Sequence, residues 1–161
     1  MTAQRGEKLF VNPWTMASMN YFPLLPEHHP GIIERTSAEF EDSDAEAFST
    51  DCWRRYIGTW RITDGCLYLA EIRGRYKIVG DEQILADWVS GEIGYSEGKL
   101  LSYVHMGFES VYEYEVLIEF KNGKLIDSRL IDSSGKEVND EELTMQYLYW
   151  LRNRFDGYDK M

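Results

Sequence analysis

The chain has 161 residues, 43% of them hydrophobic, with 17 Lys and Arg against 28 Asp and Glu, a formal charge of −11. That is enough apolar side chain for one folded domain without a metal or disulfide staple, and too much for a disordered chain. The acidity argues against a nucleic-acid or anionic-membrane surface, which needs clustered Lys and Arg. The first residues, Met1 to Glu7, carry no apolar signal-peptide core. No apolar run reaches the about 18 residues of a membrane span. Cys52 and Cys66 allow one bridge at most and are read as reduced thiols, which gives a cytoplasmic expectation. Neither these cysteines nor the adjacent His28 and His29 have metal-ligand spacing, so no metal and no cofactor is expected.

All four prolines, Pro13, Pro23, Pro26 and Pro30, fall in residues 1–50. Proline fixes φ and removes a ladder donor, so this stretch is expected to be an irregular segment covering a sheet. Phe10, Trp14, Met16, Met19 and Phe22 are its means of packing there. Residues 39–51 hold six carboxylates and no basic residue, as in a solvated turn of helix or a linker.

Residues 53–132 read as an antiparallel sheet. Asp64-Gly65 joins strands 55–62 and 66–72 as a two-residue hairpin, setting Ile62 opposite Leu67 and Trp60 opposite Leu69. A second hairpin, 87–96 with 99–106, is expected to turn at Glu97-Gly98, and a third, 111–121 with 124–131, at Asn122-Gly123. In the third, Tyr112, Tyr114, Val116, Ile118 and Phe120 share one face, and Glu113, Glu115 and Glu119 the other. A strict two-residue loop there would put Asp127 and Arg129 on the core face, whereas the hydrophobic pattern wants Ser128 and Leu130. The pattern is preferred, because a slipped register moves a whole apolar set. A helix over 139–156 is expected to be capped by Asn139, with Glu142 in the capping-box position. The expectation is one α+β domain over 1–161: an antiparallel β-meander of about seven strands, a strongly curled sheet or partial barrel, with one C-terminal helix.

Catalytic signals are thin. Cys52 or Cys66 with His105, His28 or His29 offers nucleophile and base types, but no motif joins them. Glu113 and Glu115 stand about 7 Å apart along a strand, a spacing a retaining glycosidase could use, yet a solvated face accounts for them without catalysis. The expectation is therefore a non-enzymatic protein with no catalytic residue.

Gly58-Thr59-Trp60 on an early strand, ahead of a meander and a late helix, resembles the lipocalin and wider calycin signature. The resemblance implies a barrel with the tryptophan at its floor and an apolar ligand inside. Cys52-Trp53-Arg54-Arg55-Tyr56-Ile57-Gly58-Thr59-Trp60, Leu67-Tyr68-Leu69, Leu85-Ala86-Asp87-Trp88-Val89-Ser90-Gly91 and Tyr103-Val104-His105-Met106-Gly107-Phe108 together are similar to the pattern of a family of small bacterial cytosolic proteins. That resemblance implies a bacterial single-domain protein and carries no catalytic assignment.

The functional expectation is an acidic binding protein, an inhibitor or immunity-type partner of a basic protein, docking through Glu113, Glu115 and Glu119. Neither nucleic acid nor membrane is expected as a partner. The alternative is a calycin-like binder of a small apolar ligand, lined by Trp60, Trp88, Tyr103 and Tyr114.

Overall fold

The computed structural model describes residues 6–11, 16–49, 52–80, 82–102, 111–140, 142–144 and 148, with backbone alone at 98–102 and 111–112. Its strands in chain order are β1 (Lys8–Phe10), β2 (Met16–Tyr21), β3 (Ile32–Glu34), β4 (Tyr56–Thr63) and β5 (Cys66–Gly74). They continue with β6 (Tyr76–Ile78), β7 (Ile84–Leu85), β8 (Gly91–Ser102), β9 (Val111–Lys121) and β10 (Lys124–Asp132). β10, β9, β8, β2, β1, β4 and β5 lie side by side, and β5 meets β10 again at Cys66 and Lys124, closing a seven-strand barrel. β7 adds to β5 outside this ring, and β3 pairs with β6 in a separate small sheet.

Two turn tips make the closure. Asp64 and Gly65 have φ of 52° and 76°, Asn122 and Gly123 φ of 51° and 80°, the left-handed pairs that a two-residue hairpin needs. The Leu67 N–H donates to the Gly123 carbonyl at 2.7 Å, and the Leu125 N–H to the Gly65 carbonyl at 2.7 Å. A Cβ on Gly123 would stand 2.6 Å from the Ala86 carbonyl oxygen, so only glycine fits this junction.

The β4–β5 register sets Ile62 opposite Leu67 and Trp60 opposite Leu69, as the sequence pattern requires. A bulge between Thr59 and Trp60 brings Ile72 back to the core side, where strict alternation would have turned it outward. Ile57, on the other side, packs with Ala47 and Cys52 in a small second cluster. In the β9–β10 hairpin the conflict between turn and pattern resolves physically. The Asn-Gly turn keeps its two residues, and a bulge at Ile126 absorbs the extra one, so Ile118 faces Ser128 and Val116 faces Leu130. Leu9, Met19, Trp60, Ile118 and Phe120 fill the barrel interior, joined by Leu148 from the C-terminal segment.

Four expectations need correction. The sheet is not a plain antiparallel meander: β1 and β2 stand between β4 and β8, and β1 runs parallel to β4. The first fifty residues are thus only partly an irregular cover, because β1 and β2 fit ahead of Pro23, Pro26 and Pro30 and bury Leu9 and Met19. Glu97-Gly98 is no hairpin turn. β8 passes through it with shifts in register, and Glu97 lacks the positive φ of a primed turn. The helix cap is Asp140 rather than Asn139, since the Asp140 carboxylate accepts the Glu142 and Leu143 N–H groups at 3.0 and 3.2 Å. Residues 142–144 and 148 are helical, Asn139 and Asp140 precede them without helical backbone, and 141, 145–147 and 149–156 lie outside the described residues, as does the 103–106 part of the second hairpin.

The acidic 39–51 run is also less solvated than its composition implies. It forms 3-10 turns at Ser37–Glu39 and Asp42–Phe48, and Asp44 is 3% exposed. Asp44 accepts from Arg35 at 2.8 Å and from the Gly74 N–H at 2.8 Å. Burial works to raise its pKa, but the Glu41 N–H, Arg35 and the Gly74 N–H outweigh it and hold the carboxyl below its ordinary value. Among the described residues, no helix is long and apolar enough to cross a membrane.

Candidate partner-binding face

On β9 the alternation is as expected: Val116, Ile118 and Phe120 are buried, while Glu113, Glu115, Leu117 and Glu119 lie half-buried on the other side. Register then adds what no single strand shows. Glu119 pairs with Glu92 on β8 and with Asp127 on β10, so three carboxylates stand abreast across three neighbouring strands. Strands lie about 4.8 Å apart, and like charges directly opposite one another destabilise a sheet. Arg129 is the cation the fold sets against this row: it forms an ion pair with Glu92, whose hydrogen bond raises the guanidinium pKa further.

The next ladder positions place Tyr21, Gly94, Leu117 and Arg129 in line, and the following one Ser96, Glu115 and Ile131. Tyr21 is 45% exposed and Ile126, at the bulge, 48%. The face thus combines an acidic row with exposed Tyr21 and Ile126 and half-buried Leu117. Glu113, Glu115 and Glu119 belong to this face. Glu92 and Asp127 were missed by sequence reasoning, because only the β8–β9 and β9–β10 registers bring them beside Glu119.

The aromatic set of the alternative is divided. Trp60 is 0% exposed within the core, and Trp88 packs edge-on to it at 6.2 Å, with its Nε1–H donating to the Leu24 carbonyl at 3.0 Å. Tyr114 packs against the core from β9, and Tyr103 lies outside the described residues. The Trp60 Nε1–H donates to Glu7 at 3.3 Å. Glu7, 0% exposed, also accepts from the Gly58 N–H at 2.8 Å and from Arg54 at 2.7 Å. A Cβ on Gly58 would come within 2.6 Å of that carboxylate, so the glycine of Gly58-Thr59-Trp60 makes room for Glu7. Burial lifts the Glu7 pKa above its ordinary value, against the pull of Arg54 and the N–H donors. Nothing in the sequence pairs residue 7 with residue 54; the parallel β1–β4 contact does.

Cys52 is buried with its Sγ donating to the Tyr56 carbonyl at 3.3 Å, Cys66 sits half-buried at the barrel seam, and His105 lies outside the described residues. No family model matches this chain, and no curated protein or solved structure shows significant similarity to it.

Proposed function

We propose that this protein is a non-enzymatic, cytosolic binding protein that docks a basic protein partner on the outer face of β8, β9 and β10, as an inhibitor or immunity-type protein does. The observation that carries the reading is the Glu92–Glu119–Asp127 row. Arg129 offsets only part of its like charge, and a partner that lays Lys or Arg along the row relieves the rest. The net charge of −11 adds long-range attraction for the same class of partner. Exposed Tyr21 and Ile126, together with Leu117, supply the apolar contact that charge alone lacks.

Capture at low ionic strength tests this. Wild type retains a basic partner that salt releases, and Glu92→Lys with Glu119→Lys abolishes retention. A matched reversal on the 3-10 turn, Glu41→Lys with Glu46→Lys, leaves it intact. Equal losses from both pairs would reduce the effect to overall charge and sink the assignment to this face. Failure of the wild type to retain any partner at low salt sinks it as well.

A further inference from the structure

A half-enclosed cleft of about 310 Å³ lies beneath the proline-rich stretch that follows β2, and no residue of the acidic row lines it. Small-molecule sites begin at about 300 Å³. Its walls are Leu25, Ile32, Tyr56 and Tyr76, the two tyrosine rings standing at 77° with centroids 5.8 Å apart. The roof is strapped down at two points. The Leu25 N–H meets the Tyr56 hydroxyl at 3.4 Å, and the Leu24 carbonyl accepts from Trp88. His29 forms one end, its Nδ1 accepting the Gly31 N–H at 2.9 Å and its ring edge-on to Trp88 at 5.5 Å.

The charged groups lining this cleft are Glu27 and Glu34, and no Lys or Arg lines it. At its mouth, Arg75 lies 5.8 Å over the Tyr76 ring while its Nε bonds Glu34 at 3.0 Å. Both partners of that pair are half in water, so the contact exchanges readily. A cation held between an aromatic face and a carboxylate is thus already present, supplied by the chain itself.

We propose that this cleft binds a small organic cation, an ammonium carried on an apolar or aromatic body. The body fills the space between Leu25, Ile32 and the two tyrosines, and the ammonium displaces Arg75 from Glu34 or engages Glu27.

The test uses three probes of one shape on the full chain: 2-phenylethylamine, 2-phenylethanol and phenylacetate, titrated by amide and imidazole NMR shifts. The amine is expected to bind at least about tenfold tighter than the alcohol, with phenylacetate weakest, and shifts centred on His29 and the 24–34 backbone. Glu27→Gln with Glu34→Gln, both exposed positions, brings amine and alcohol to within about twofold without changing the alcohol. Equal binding of amine and alcohol by wild type overturns the proposal. So does an amine preference that survives the double variant, or shifts centred elsewhere, or the absence of saturable binding by all three probes. The acidic row plays no part in this site, so Glu92→Lys with Glu119→Lys leaves amine binding unchanged.

Discussion

Glu7 is the residue with the most at stake. Its carboxylate has no contact with water and answers to Arg54, the Gly58 N–H and the Trp60 Nε1–H together. Glu7→Ala strands all three donors beside a cavity, and the expected loss is about 3 kcal/mol in denaturant unfolding. Glu7→Gln keeps the shape and one acceptor oxygen. Because burial raises the folded pKa, the ionised carboxylate is the less favoured form inside the protein. Its contribution to stability is greatest below the unfolded value and falls as pH rises through the folded one. The Gln variant turns an NH2 toward at least one of these donors and is expected to melt between wild type and the Ala variant at pH 7, with the wild type gaining on it as the pH falls toward 4. A Gln variant that loses as much as the Ala variant at pH 7 would show that the ion pair, not the shape, is what the site requires.

Among the elements, the β9–β10 hairpin shows how far a sequence can be read. Turn chemistry and hydrophobic alternation gave conflicting registers, and both rules are obeyed because Ile126 is left out of the ladder. Deleting Ile126 therefore leaves a regular ladder with Leu125, Ser128 and Leu130 still facing inward, and the melting temperature is expected to change little. Deleting Arg129 instead turns Leu130 outward and is expected to abolish cooperative melting. The β4–β5 hairpin, the inner face of β9 and the strand-rich class were legible because they depend on neighbours in sequence. The placement of β1 and β2 was not, since a three-residue strand such as Lys8–Phe10 carries no periodicity and its partners in β4 lie some fifty residues on. For the same reason Glu113, Glu115 and Glu119 could be assigned to a face, while Glu92 and Asp127 needed the assembled sheet to join them.

At the scale of the whole molecule, closure of the barrel depends on two turn tips bonded to one another. Gly123→Ala forces a Cβ against the Ala86 carbonyl at a positive φ, and the seam is expected to loosen before the remaining strands. Hydrogen exchange checks this: the Leu67 and Leu125 amides, which bond across the seam, lose protection first, while the β8–β9 amides keep theirs. Uniform loss across the barrel would mean that the seam does not open on its own. The position of the first two strands has a consequence for synthesis. β1 and β2 leave the ribosome early, but the neighbours that flank them, β4 and β8, follow only after tens of further residues. At roughly 5–20 residues per second that interval lasts seconds. Throughout it, Leu9 and Met19 have no finished sheet to rest against, so the nascent chain passes through a sticky stage that a chaperone could shield.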